Sequence, residues 1–147
     1  MLTVQNIDTI RSHLETDLNQ LINNIGPIQI GTNKQFPNGW GKAAKGRTVW
    51  RIIEEAINQN LEANCEKLLM ESISASESEV SVYDTKVKYG DYDAYFNIKS
   101  AVYGGRTNKD DISKATGLKA FFDEDINKPL FICTFVLNFL ENMTIEM

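Results

Sequence analysis

The strongest structural signal in the sequence is Val82-Tyr-Asp-Thr-Lys-Val-Lys-Tyr-Gly-Asp-Tyr-Asp-Ala-Tyr-Phe-Asn-Ile-Lys99. Gly90 and Asp91 are a two-residue turn signal between two runs rich in Val, Tyr, Thr and Phe, the residue types that favour strands. The stretch therefore predicts a β-hairpin in which Tyr89 pairs with Tyr92.

Because side chains alternate along a strand, this hairpin has an apolar and a polar face. The apolar face is predicted to hold Tyr83, Thr85, Val87, Tyr89, Tyr92, Ala94, Phe96 and Ile98. The polar face is predicted to hold Asp84, Lys86, Lys88, Asp93, Tyr95, Asn97 and Lys99. Counting outward from the turn puts Asp84 opposite Asn97, at a Cβ separation of roughly 5 Å, with Lys99 about 7–8 Å away. Such a group can hold a divalent cation and a water; the alternative is a solvated sheet face.

Asp84, Asn97 and Lys99 follow the spacing Asp-x12-Asn-x-Lys across two adjacent strands. This pattern resembles the active site of the PD-(D/E)xK nuclease superfamily, which has the restriction-endonuclease-like fold. Asp84 takes the place of the first acid, Asn97 of the second, and Lys99 of the lysine. The sequence departs from the motif at two positions. Tyr83 stands where the motif has proline, and Asn97 replaces an acid, which removes one negative charge from the metal site.

The predicted elements around the hairpin occur in the order of that fold, over about residues 47–140. They are a helix over 47–70, a weak strand within 72–78, the two hairpin strands, a helix from Asp110 or Asp111 to about Phe122, and a strand over Leu130–Leu137. The helix over 47–70 carries an apolar stripe at spacings of three and four. The continuous apolar run Leu130–Leu137 predicts a central strand buried on both faces and parallel to the strand over 94–99.

Residues 1–25 predict an amphipathic helix that ends at Gly26-Pro27. Its apolar positions are Val4, Ile7, Ile10, Leu14, Leu18, Leu21, Ile22 and Ile25. We expect this helix to pack on its own domain, although the seven-residue spacing of Ile7, Leu14 and Leu21 also allows self-pairing. The predicted fold is thus α/β, with a restriction-endonuclease-like core, a mixed β-sheet flanked by helices, and an N-terminal amphipathic helix.

The composition indicates one globular domain over residues 1–147, with 42% hydrophobic and 24% charged residues. Its parts are the helix 1–25, a basic loop 26–46 and the core 47–140; the chain can also be a fragment of a longer one. The start resembles no signal peptide and no apolar run approaches 18 residues, so we expect a soluble cytoplasmic protein without a membrane partner. Cys65 and Cys133 are expected to be reduced core residues, and the single His13 argues against a histidine-based zinc site.

The net charge of −5 is unevenly distributed along the chain. Residues 26–53 carry five basic residues and no acid, whereas residues 54–79 carry seven glutamates and one lysine. Clustered basic charge is typical of a nucleic-acid surface. The predicted DNA-binding residues are Lys34, Asn38, Lys42, Lys45 and Arg47, with Arg106, Asn108 and Lys109. The last three belong to a second cluster that also holds Lys114 and Lys119 and that we expect to flank the same cleft. The alternative for residues 31–47 is a surface loop whose Phe36 and Trp40 pack back on the domain.

The resemblance implies a Mg²⁺-dependent endodeoxyribonuclease. It implies that Asp84, the Asn97 side-chain oxygen and the Ile98 carbonyl ligate Mg²⁺, while Lys99 orients the attacking water or stabilises transition-state charge. Enzymes of this superfamily often place a glutamate of the first helix near the metal, and here Glu54 is preferred over Glu55. The leading expectation is a type II restriction enzyme that acts on double-stranded DNA as a homodimer. A homing or junction-resolving nuclease, or a non-catalytic DNA- or partner-binding module, is the alternative.

Overall fold

The computed structural model describes residues 1–41, 45–78, 81–105 and 115–147. The helices within these ranges are α1 (Val4–Ile25), α2 (Lys45–Asn64) and α3 (Ala115–Glu124). The strands are β1 (Ile28–Gln29), β2 (Ser72–Ala75), β3 (Thr85–Tyr89), β4 (Tyr92–Val102), β5 (Leu130–Leu140) and β6 (Thr144–Glu146). They form one sheet in the order β1-β6-β5-β4-β3-β2. The protein is therefore mixed α/β, as predicted, and no described helix is long and apolar enough to cross a membrane.

The hairpin forms with the predicted turn. Tyr89 pairs with Tyr92, and Gly90 between them has a φ of +58°, a conformation that glycine adopts without steric cost. β4 then pairs in parallel with β5, which confirms the predicted crossover. The hairpin of β5 with β6 was not predicted. Its turn contains Asn142 and Met143, both with a φ of +56°, and neither is the glycine that usually marks such a turn.

Helix α1 is held at both ends and packs within its own chain. Thr3 and Asn6 form a reciprocal capping box at its start, and Gly26 ends it with a φ of +65°. Its buried apolar side chains join the same core as those of α2. They are Ile10, Leu14, Leu18 and Leu21. The apolar stripe of this helix therefore packs on its own domain, which was the first of its two interpretations.

Helix α2 is shorter than predicted at its carboxyl end. Val49, Ile53, Ile57 and Leu61 form its fully buried stripe, but the helix ends at Asn64. A short 3-10 turn over Cys65–Lys67 follows, and the next residues leave the helical path. The backbone N–H groups there donate to the Asp17 carboxylate of α1 rather than to the preceding helical turn.

Strand β5 is buried on one face only, which corrects the prediction of burial on both. Phe135 and Leu137 lie in the core beneath α1 and α2, whereas Ile132 and Val136 on the opposite face are 69% and 50% exposed. Helix α3 covers part of that face. Its Phe121 packs on Tyr95, with ring centroids 5.2 Å apart, at the beginning of β4. The apolar run therefore places alternate side chains in the core and on a sheet face that is largely exposed.

The two cysteines are free thiols and only partly buried, so they are less enclosed than expected of core residues. Burial raises the pKa of the Cys133 thiol to about 12 and also raises the pKa of Cys65. Burial thus disfavours the thiolate form, the reactive form of cysteine, at both positions.

Candidate active site

Asp84 lies where the regular ladder of β3 and β4 ends. The ladder extends outward from the turn only to the pair Thr85 and Phe96. The backbone N–H of Asp84 donates to the Phe96 carbonyl at 2.9 Å, although Phe96 already pairs with Thr85. Two consecutive residues on one side of the hairpin therefore face a single residue of β4, as in a β-bulge. Asp84 therefore does not pair with Asn97 in the ladder, contrary to the prediction. The Asp84 carboxylate instead accepts the backbone N–H of Ile98 at 2.5 Å, which holds it beside β4.

The same irregularity moves Tyr83 away from its predicted apolar face. Its ring packs on Tyr95, 4.9 Å between centroids, and on Phe121 of α3 at 6.0 Å. An extra residue in one strand reverses the alternation of side chains beyond it. Tyr92 also departs from its prediction, because it is 37% exposed at the turn. The remaining apolar positions from Thr85 to Ile98 are buried as predicted.

Asn97 has a buried side-chain oxygen with no hydrogen-bond partner among the described residues. Its amide nitrogen donates a long hydrogen bond to the Val82 carbonyl, at 3.4 Å. This contact orients the amide, because reversing it would bring two oxygens together. A buried amide oxygen without a donor costs about 1–3 kcal/mol. A cation would satisfy this oxygen.

Glu54 of α2 faces Asp84 across the cleft. Burial raises the pKa of the Glu54 carboxyl and the negative charge of Asp84 raises it further, while Arg51 and Lys99 act in the opposite direction. Glu55, the alternative, is exposed and accepts a hydrogen bond from Gln59 at 2.6 Å on another side of the helix. Of the two glutamates, the structure therefore brings Glu54 to the other predicted site residues.

These side chains line one cleft of about 610 Å³ between α2, the hairpin and the end of β2. The predicted catalytic and metal residues that line it are Glu54, Asp84, Asn97, Ile98 and Lys99. Within the described ranges, no group of three or more His, Cys, Asp or Glu is arranged to hold a metal. A cation bound here would therefore take its protein ligands from two carboxylates, an amide oxygen and a carbonyl. This oxygen set suits Mg²⁺, which retains several waters and needs few protein ligands.

Asn58 is a residue of this cleft that the sequence pattern did not single out. Its side-chain oxygen accepts the hydroxyl of Thr85 at 3.0 Å, and Thr85 is only 1% exposed. The bond ties α2 to the hairpin one residue from Asp84. The sequence carries one signal for this residue: Asn58 is polar and directly follows Ile57, a member of the buried apolar stripe of α2.

The predicted DNA-binding residues are separate from this cleft or outside the described part. Lys34 and Asn38 are exposed and do not line it. The side chains of Lys42, Lys45 and Arg47, and all of Arg106, Asn108 and Lys109, lie outside the described residues.

The two aromatic residues of the basic loop behave differently. Trp40 packs back on the domain: its indole N–H donates to the Leu140 carbonyl at 3.1 Å, and its ring meets Phe139 edge to face at 4.9 Å. Phe36 is 44% exposed. The interpretation of this segment as a packed surface loop therefore holds for Trp40.

Comparison with known proteins yields no matching family model, no similar curated protein and no similar solved structure.

Proposed function

We propose that this protein is a Mg²⁺-dependent endodeoxyribonuclease that hydrolyses phosphodiester bonds. The observation that supports this most is the meeting of Glu54, Asp84, Asn97 and Lys99 in one cleft, although they come from three separate parts of the chain. The order α2-β2-β3-β4-α3-β5, with β5 parallel to β4, adds support because it is the element order of the resembled nuclease fold.

Asp84, the Asn97 side-chain oxygen and the Ile98 carbonyl would hold Mg²⁺, with Glu54 beside them. The ion would supply Lewis-acid polarisation of the scissile phosphate and lower the pKa of a water. Hydrolysis joins the water oxygen to phosphorus and breaks the bond from phosphorus to O3′, leaving a 5′-phosphate and a 3′-hydroxyl. The hydrogen bond from Ile98 N–H keeps the Asp84 carboxylate in place for this role.

Lys99 lines the same cleft, two residues beyond Asn97 on β4. A positive charge there would stabilise the negative charge that builds up on the phosphate oxygens during attack. Glu54 can hold a proton more readily than an ordinary glutamate, because its pKa is raised by burial and by Asp84. A bound cation would offset the repulsion between these carboxylates and so act to lower the pKa of Glu54.

For partners, we propose double-stranded DNA and a homodimer, with a type II restriction enzyme as the leading form of the activity. A homing or junction-resolving nuclease would use the same residues. We also propose that the protein acts in the cytoplasm.

A non-catalytic DNA- or partner-binding module is the second candidate. It is favoured by the amide at Asn97 in place of an acid, and by the lack of any three-acid group in the described part of the chain. Such a module would bind its partner equally well with Mg²⁺ or EDTA and would leave DNA intact.

Plasmid nicking with Mg²⁺ and with EDTA separates these candidates. We expect the wild type to cleave only with Mg²⁺ and Asp84→Ala to be inactive, while DNA binding in Ca²⁺ survives. Asp93→Ala is the matched control, because Asp93 lies on the same hairpin but pairs with Lys86 at 2.8 Å. Full activity of Asp84→Ala would contradict the proposed site.

Asn97→Asp tests the amide in the same assay. The substitution restores the acid and should preserve cleavage or lower the Mg²⁺ concentration that cleavage requires. Complete loss of activity would show that Asn97 has another role.

A further inference from the structure

Trp50 of α2 lies on the wall of the cleft. It is 41% exposed, whereas its helix neighbours Val49 and Ile53 are fully buried and anchor α2 to the core. Trp50 precedes Glu54 by four residues, so the two side chains share one face of the helix. Both line the cleft. A large aromatic ring is thus presented beside the proposed catalytic carboxylates.

Arg51 supports this ring. Its guanidinium carbon lies 4.5 Å from the centroid of the Trp50 ring and covers one face. This cation–π contact reduces the freedom of both side chains. Arg51 also lines the cleft, so a positive charge lies next to the exposed indole. An aromatic surface next to a fixed cation suits a nucleotide, which has a flat base and an anionic phosphate.

We infer that Trp50 is a stacking platform for an unpaired DNA base next to the scissile phosphate. The inference rests on the proposed nuclease function, since it names the form of DNA that this cleft accepts. Every base has a π-face that can stack on an indole, whereas bases inside a duplex are already stacked on their neighbours. The substrate would therefore present a flipped or unpaired nucleotide to Trp50 while Arg51 neutralises its phosphate.

Tryptophan fluorescence tests this contact without cleavage. The chain has two tryptophans, and Trp40 packs on Phe139 under its own hydrogen bond, so Trp50 is the more exposed reporter. We would titrate the full chain in EDTA with a twelve-nucleotide dT strand and with an abasic strand of the same length and charge. Stacking predicts strong quenching by the dT strand and little by the abasic strand. Equal quenching by both strands, or none by the dT strand, would overturn the inference.

Substitutions assign the signal to Trp50. Base–aromatic stacking contributes enough that Trp50→Ala should weaken dT binding roughly 5- to 100-fold, measured by anisotropy of a labelled strand. Binding of the abasic strand should be unchanged. Trp50→Phe keeps a stacking ring and should retain most of the affinity while losing the quenching, which guards against a folding defect in the alanine variant.

Tyr92→Ala is the matched control, because Tyr92 is 37% exposed at the far end of the hairpin. Unchanged dT affinity in Trp50→Ala would also overturn the inference.

These results are distinct from the test of hydrolysis. Selective quenching by dT with no Mg²⁺-dependent cleavage would support the base platform and reject the nuclease. Cleavage that depends on Asp84, combined with equal quenching by dT and abasic strands, would support the nuclease and reject the platform.

Discussion

Asn97 is the residue at which this site differs most from the motif it resembles. Its amide keeps an oxygen in the position of the usual acid, but this oxygen is neutral, and it is buried with no donor in the described structure. The ligand set would therefore have less negative charge and hold the cation less tightly. Glu54 can compensate for part of that charge, because it faces Asp84 in the same cleft.

Lys99 allows the sharpest single-residue test of the proposed chemistry. If its charge supports the transition state, Lys99→Ala should lower the single-turnover cleavage rate by about 10²-fold, or about 2.7 kcal/mol, with little change in DNA affinity. Lys99→Arg should not restore the rate, since a planar guanidinium does not replace a compact ammonium.

Lys86 and Lys88 are the matched controls for Lys99 on the same hairpin. Lys86 pairs with Asp93 at 2.8 Å, and Lys88 is exposed nearer the turn. Alanine at either position should leave the cleavage rate nearly unchanged. Equal rates for all three alanine variants would remove Lys99 from the active site.

At the scale of elements, a single buried carboxylate joins α1 to the segment after α2 and to β3. Asp17 is fully buried and accepts the backbone N–H groups of Leu69 and Met70, at 2.7 and 3.0 Å. It also accepts the hydroxyl of Tyr89 at 2.8 Å. These bonds account for the early end of α2, because Leu69 and Met70 donate to α1 instead of continuing a helix.

Asp17→Ala should therefore destabilise the protein strongly. The substitution leaves two backbone N–H groups and a phenol without their acceptor. Those of Met70 and Tyr89 are buried, and each buried unsatisfied group costs about 1–3 kcal/mol. We expect a loss of about 3 kcal/mol or more in the free energy of unfolding, measured by urea denaturation with circular dichroism. Asp8→Ala on the same helix is the control, because its side chain is 60% exposed and it should change stability by less than about 0.5 kcal/mol. Similar stabilities of the two variants would contradict the structural role of Asp17.

At the scale of the whole molecule, charge is divided between a basic and an acidic part of the chain. Residues 26–53 have a net charge of +5 and residues 54–79 one of −6, so the total of −5 conceals a basic segment. Arg51, at the end of the basic segment, lies in the cleft. If the proposed function holds, DNA would approach this basic segment even though the overall charge is negative.

Salt dependence tests whether the basic segment contacts DNA. Replacing Lys42, Lys45 and Arg47 together with alanine should weaken binding to all sequences. It should also flatten the plot of log affinity against log salt by about 0.9 for each phosphate that the protein no longer neutralises. Arg11→Ala is the control, since Arg11 lies outside both basic clusters and pairs with Asp8 and Glu15 on α1. An unchanged slope in the triple variant would place the basic segment away from the DNA.

Features that depend on local pattern could be predicted from the amino-acid sequence alone. The turn at Gly90 and Asp91 sets the register of the hairpin through the side-chain period of two, and the stripe of α1 follows from the period of 3.6 residues. The crossover between β4 and β5 follows from chain order, because a strand–helix–strand unit joins parallel strands. The resemblance of Asp84, Asn97 and Lys99 to a nuclease motif was likewise readable in the sequence.

Features that depend on contacts between elements could not be predicted from the sequence and became apparent in the folded chain. The irregular pairing at Asp84 departs from the period of two within a single hairpin. The buried Asp17 forms its hydrogen bonds with Leu69, Met70 and Tyr89, which lie far along the chain, and no local period records them. The exposure of Ile132 depends on which sheet face the helices cover. The convergence of Trp50 and Glu54 with Asp84 follows from how α2 lies across the hairpin, because packing between elements, and not the order of residues within one, sets the distances in the cleft.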